Sequence, residues 1–201
     1  MRPLAKGGKR TSTPAPAGEK ILDVAEELAQ TRGFNGFSYA DIAERLFVTK
    51  ASLHYHFPSK AELGRALIVR YRSTFARALQ AIDLDASDVP EKLRRYVGLY
   101  ESVMLHDRMC LCGMFAAEYA TLPPPMQDEL REFFDANEDW LTSVLENGRR
   151  AGLLEFHQPA QERARVLVGA LEGAMLVART YGDAARFRAV AQHVLEDLDA
   201  S

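Results

Sequence analysis

A chain of 201 residues has room for one or two domains, and its 47% hydrophobic and 26% charged composition suits a globular protein that buries a core without a metal or disulfide staple. The net charge of −3 neither demands nor excludes nucleic acid. No run approaches the ~20 apolar residues of a membrane span, no apolar signal core precedes Lys20, and the only cysteines are Cys110 and Cys112, so a cytoplasmic protein without a membrane partner is expected.

Met1 to Gly18 is rich in Gly, Pro, Ser/Thr and Lys/Arg, and reads as a flexible basic arm. From Glu19 the apolar period is helical. Ile21, Leu22, Ala25, Leu28 and Ala29 share one face of a first helix, with Gly33 placed to cap its end. Ser38 and Asp41 have capping-box spacing, Asp standing where Glu is usual, and Phe37 and Ile42 can staple the start of helix two. Thr49 caps a third helix of about two turns, which Pro58 cannot continue. Ser59 and Glu62 form another capping box, opening a long helix four with Leu67, Ile68, Tyr71 and Phe75 in register.

Helix five starts near Pro90 and carries Leu93, Tyr96, Val97, Tyr100 and Met104. Helix six covers about Met109 to Ala120, stopped by Pro123-Pro124-Pro125. Helix seven carries Phe133, Phe134 and Leu141 and ends near Gly152. Helices eight (about 160–181) and nine (about 184–199) complete an all-α fold of about nine helices without repeats. Residues 1–18 form the arm, 19–65 a three-helix domain and 66–201 a larger helical domain.

Charge is divided along the chain. Residues 1–60 hold nine Lys/Arg against six Asp/Glu, and residues 61–201 hold sixteen against twenty-two. The asymmetry suits an N-terminal part that meets a polyanion, or a tail kept soluble by its charge. Ile42 to His56 reads as helix, tight link, helix, with Ile42, Leu46, Val48 and Leu53 between them: a helix-turn-helix, whose second helix enters the major groove. Lys50, Ala51, Ser52, His54 and Tyr55 are then directed outward. Lys50 can donate to a guanine edge and Ala51 can touch a thymine methyl. Ser52, Tyr55, Lys60 and the helix-two start at Ser38 can reach phosphate, and Thr49 stands at the helix-three start. A three-helix packing unit with a merely wet polar face is the plainer alternative.

The string Gly33-Phe34-Asn35-Gly36-Phe37-Ser38-Tyr39-Ala40-Asp41-Ile42-Ala43, followed by Val48-Thr49-Lys50-Ala51-Ser52-Leu53-His54-Tyr55-His56-Phe57-Pro58-Ser59-Lys60, resembles the TetR/AcrR family of bacterial transcriptional regulators over about residues 19–65. The resemblance implies a homodimer on palindromic double-stranded operator DNA and a C-terminal domain that binds a small-molecule effector and releases the operator. Three positions depart from the family pattern: Phe47 and Ala51 stand where Gly is common, and His54 where Tyr is. A link residue at positive φ suits Gly, so Phe47 is expected to be strained unless its ring packs. His54 and His56 lack companion ligands at metal spacing, so neither metal nor cofactor is assigned.

In the C-terminal domain, Tyr71, Tyr96, Tyr100, Met104, Met114 and Phe115 are candidates for a pocket between bundled helices. Phe133, Phe134, Trp140 and Met175 join them from later helices. Most such residues serve as core. Glu118 and Arg179 are charges within apolar segments, placed to pair with each other, to orient a ligand or to stand exposed. Met109-Cys110-Leu111-Cys112-Gly113-Met114-Phe115-Ala116-Ala117-Glu118 resembles a stretch of a TetR subgroup that includes LmrA/YxaF-like and NemR-like repressors, some of which sense electrophiles through a cysteine at the place of Cys110. A helix N-terminus and Arg108 would lower the Cys110 pKa; two inert buried thiols are the alternative.

Val166, Leu167, Ala170, Leu171, Ala174, Met175 and Ala178 on helix eight, with Val190, Ala191, Val194 and Leu198 on helix nine, read as the dimer surface, with completion of the subunit's own core as the competing reading. No phosphate loop, nucleophile elbow or metal cluster argues for an enzyme. A ligand-responsive DNA-binding repressor is the leading expectation, with a thiol-sensing repressor or a helical interaction protein behind it.

Overall fold

The computed structural model describes residues 17–198. Its regular elements are helices: α1 (Ala17–Arg32), α2 (Tyr39–Leu46), α3 (Lys50–His56), α4 (Lys60–Asp85), α5 (Val89–Met104), α6 (Leu111–Ala117), α7 (Pro124–Arg150), α8 (Ala160–Tyr181) and α9 (Ala184–Glu196), with a 3₁₀ turn at Tyr119–Thr121. Of the basic arm, all but Ala17 and Gly18 lies outside the described residues, and those two already belong to α1.

The N-terminal elements begin and end where local chemistry directs. Ser38 Oγ accepts from Ala40 N–H, and Asp41 Oδ2 takes the Ser38 N–H at 2.8 Å, closing the expected capping box. Ser59 and Glu62 repeat the device at α4, and Thr49 caps α3. Gly33 adopts φ 81 and its N–H returns to Ala29 O at 2.9 Å, so α1 ends on a left-handed cap. Phe37 and Ile42 are both buried, as a staple requires.

One continuous core runs from Ile21 to Leu198. Leu28, Ile42, Leu53, Leu63 and Leu67 fill the N-terminal three-helix unit, and Tyr96, Phe133, Leu141, Leu171 and Phe187 fill the larger bundle. Helix α4 passes through the expected boundary at residue 65 and belongs to both. Helix α6 is shorter than its apolar pattern suggests: it closes at Ala117 and tightens into the 3₁₀ turn ahead of the prolines.

The apolar residues of α8 divide between two faces. Leu167, Leu171, Ala174, Met175 and Ala178 are buried within the subunit, as is Ala191 of α9. They complete its own core, the second of the two readings above. Val166, Gly169, Gly173, Leu176, Val177 and Thr180 form a separate exposed stripe at three- and four-residue spacing, with Val190 of α9 also exposed.

Candidate functional site

Helix α3 presents a polar face above a single buried anchor. Leu53 is 1% exposed, while Lys50, Ala51, Ser52, His54 and Tyr55 are exposed. The Tyr55 ring is 84% exposed, so its hydroxyl stands free of the fold. His54 Nδ1 lies 3.1 Å from Pro58 O, with its ring 4.6 Å from that of Tyr39. Tyr39 in turn donates to Phe57 O at 2.7 Å, and burial together with the Glu62 charge pushes its pKa up to about 12, so it stays a donor. These contacts tie the end of α3 to the start of α2.

Two residues of this region differ from expectation. Lys60 turns inward: its ammonium donates to Phe37 O and lies 4.7 Å and 4.5 Å from the ring centroids of Phe34 and Phe37. Burial lowers its pKa, with Glu118 and Asp41 opposing that shift. It pins the α1–α2 corner rather than reaching outward for phosphate. Phe47 has the left-handed backbone expected of the link, φ 54 and ψ 42, but its ring is 95% exposed and finds no compensating burial.

Glu118 is neither exposed nor paired with Arg179. From the end of α6 its carboxylate accepts the Phe34 N–H at 2.6 Å and the Asn35 N–H at 3.2 Å, and Asn35 Nδ2 donates to Thr121 Oγ1 at 2.9 Å. Gly33 allows this approach, because a Cβ there would stand 2.7 Å from Glu118 Oε1. Arg179 of α8 donates to Thr31 O and to Met114 Sδ, Met109 N–H reaches Gln30 O at 3.2 Å, and Arg108 pairs with Glu27. Phe115 packs edge-on against Phe34, centroids 5.5 Å apart. Thus Glu118, Arg179 and Phe115 join α6 and α8 to the N-terminal unit, and Arg179 also lines a cleft with Met104, Arg108, Met109 and Ala178. Their partners in the N-terminal unit lie more than 80 residues away in sequence, which is why local pattern missed the clamp.

The other candidate pocket residues gather in the bundle. Phe75 lies 6.1 Å from both Tyr96 and Tyr100 and 5.4 Å from Phe133; Tyr71 lies 5.7 Å from Phe133; Tyr96 stacks on Trp140 at 5.5 Å. Phe134 joins at the edge, 5.2 Å from Phe133. Buried Asn137, unmarked by any sequence pattern, accepts the Tyr96 hydroxyl, and Trp140 Nε1 donates to Asp83. Met104 and Met114 are half-buried at the margin and Met175 is fully buried.

Cys110 and Cys112 are buried free thiols. Burial pushes the Cys110 pKa well up and the neighbouring Glu172 carboxylate adds to it, while Arg108 is engaged by Glu27. A thiol so placed stays protonated, the reverse of the electropositive setting a reactive thiolate needs. The electrophile-sensing alternative is therefore not favoured. Glu172 itself is a residue the sequence reading passed over, although a lone carboxylate in the run Val166–Ala178 was the available signal.

A three-helix head with an exposed third helix, clamped to a helical bundle around an aromatic core, defines a DNA-binding regulator of two parts. Residues 21–67 match the family model described as "Bacterial regulatory proteins, tetR family", and residues 89–194 match "Tetracyclin repressor-like, C-terminal domain". The chain belongs to the TetR family of transcriptional regulators. It is 37% identical to a TetR-family transcriptional regulator from Agrobacterium tumefaciens whose crystal structure superposes with a TM-score of 0.88, covering 91% of this chain and 97% of that one. Among curated proteins it is similar to the HTH-type transcriptional repressor DhaR of Mycobacterium sp. (strain GP1), 24% identical over 80% of this chain and 81% of that protein. It is also similar to the HTH-type transcriptional repressor NemR of Escherichia coli (strain K12), 26% identical over 80% and 83%.

Proposed function

We propose that this regulator represses transcription as a cytoplasmic homodimer on a palindromic operator, and that a small molecule bound among α4, α5, α7 and α8 releases it. The observation that carries the reading is the Glu118 clamp: the bundle holds the backbone of the α1–α2 corner through two amide hydrogen bonds, so a movement of α6 is transmitted to the head. Thr49, Lys50, Ala51, Ser52, His54 and Tyr55 would face the groove, with Ser38 at the phosphate backbone. The exposed α8 stripe supplies an apolar surface for an isologous partner. No helix among the described residues is long and apolar enough to cross a membrane.

The test begins with selection of bound duplexes from a random pool, followed by electrophoretic shifts at several salt concentrations. A palindromic consensus bound with steep salt dependence is expected. Lys50→Ala should lose about 1–3 kcal/mol on the selected site and relax its preference, whereas Tyr55→Phe should weaken all duplexes alike. Failure to enrich any duplex would overturn the reading.

A further inference from the structure

Every residue of α8 from Val166 to Ala178 is apolar or small except Glu172. Its Oε1 is buried without a hydrogen-bond partner. Its Oε2 rests on Gly113 of α6, where a Cβ would overlap it, and the Cys110 thiol lies within hydrogen-bonding reach. The charged groups felt by the neighbouring Cys112 and Tyr96 are committed elsewhere: Arg72 of α4 to Glu129 and Glu132, Glu138 of α7 to Arg165, and Glu26 of α1 to Arg70. Toward α4 and α5 the carboxylate faces Tyr71, Tyr96 and Tyr100, each of whose phenols it makes harder to ionise. Those rings continue without a break into Phe75, Phe133 and Trp140.

An unpaired acid inside an apolar bundle is costly, and aromatic faces attract positive charge. A neutral ligand without a donor would leave the acid unpaired, a neutral donor would leave its charge uncompensated, and an anion would be repelled. We propose that Glu172 and the rings of Tyr71, Tyr96, Tyr100 and Trp140 seat an organic monocation, a quaternary or protonated amine with apolar substituents. One carboxylate matches one positive charge. This rests on the effector reading above and deepens it: a cation that draws Glu172 off Gly113 and Cys110 frees the face of α6 that leads to Glu118.

The full-length protein, without DNA, is titrated calorimetrically with benzyltrimethylammonium and with its uncharged carbon isostere, neopentylbenzene, while operator binding is measured in parallel. The cation should bind at least tenfold more tightly than the isostere, and Glu172→Gln should abolish that margin while leaving the isostere unchanged. The wild type supplies an independent arm. Burial raises the Glu172 pKa to about 7, so cation affinity should fall about tenfold from pH 8 to pH 6 while isostere affinity stays flat. Equal affinities, no cation binding at millimolar concentration, an unaffected Glu172→Gln or a flat pH profile would each overturn the inference. If DNA binding persists in that case, only the cation seat is lost. If the cation binds as described but the wild type holds no operator, the regulator reading fails and the seat stands.

Discussion

The head and the bundle place their polar chemistry on opposite sides. In the head, the apolar groups apart from Phe47 and Val48 of the link are mostly inside, and Lys50, Ser52 and Tyr55 stand out in water on a frame whose helix starts are capped by Ser38, Thr49 and Ser59. In the bundle, phenols, two thiols and the Glu172 carboxylate are inside, and one of those oxygens has no partner. A surface that must meet a polyanion can be rigid beforehand, its helix starts capped and its groove-facing groups left to water, although Gln30 Oε1 of α1 is itself buried without a partner. A site that must respond to a guest retains something unsatisfied for the guest to complete.

The largest predicted effect separates the two faces of α8. Leu171 is fully buried, so Leu171→Arg places an unpaired charge in the core and should cost more than about 4 kcal/mol, seen as loss of the cooperative thermal transition. Val177 lies on the exposed stripe, so Val177→Arg should leave the subunit's stability within about 0.5 kcal/mol yet yield monomers by sedimentation. Folded dimers of Leu171→Arg would reverse the assignment of the faces.

Glu172 gives the bundle a pH signature opposite in sign to that of Asp41 in the head, whose pKa the Ser38 hydrogen bonds lower. Its folded pKa of about 7 is above the ordinary 4.5, so only the unfolded chain ionises it between those values. Stability from this group is therefore full below pH 4.5, falls as pH rises to 7, and is then level, about 3 kcal/mol lower. Denaturant titrations of wild type and Glu172→Gln should differ by that slope, and parallel profiles would count against a buried proton.

Glu118 joins the two regions. Glu118→Ala should cost about 2 kcal/mol, less than two fully buried charged hydrogen bonds because the site is half-exposed. Amide exchange at Phe34 and Asn35 should accelerate, and operator release by effector should weaken. Unchanged exchange at both amides would show that the clamp is not maintained in solution.

The smallest effect is at Phe47. A left-handed bulky residue carries about 1–2 kcal/mol of strain, and this exposed ring recovers none by packing. Glycine's greater freedom in the unfolded chain offsets part of the relief. Phe47→Gly should therefore raise stability by up to about 1 kcal/mol in urea; a loss would mean the ring has a partner in solution.

Legibility followed the range of the interactions. The caps at Ser38, Thr49 and Ser59, the turn at Gly33 and the left-handed link at Phe47 depend on residues within a few positions, and each was readable in the sequence. Helix α8 is apolar on nearly all sides, so its periodicity could not say which face is buried. Lys60 looked like a phosphate ligand until Phe34 and Phe37 folded beneath it. Glu118 and Glu172 depend on partners brought together only by the tertiary fold.

Helix α4 begins at the capping box beneath the head and ends at Asp85, close to the Asp83 contact with Trp140. Its 26 residues make a rod of about 39 Å. Pivoted at its far end, such a rod multiplies displacement: a tilt of about 5° carries the head roughly 3.4 Å, the rise of one base pair. Two heads spaced for half-sites one turn of duplex apart would then fall out of step with the groove. On the proposed function the rod would work as a lever arm, setting the gearing between a side-chain rearrangement and a whole base-pair step.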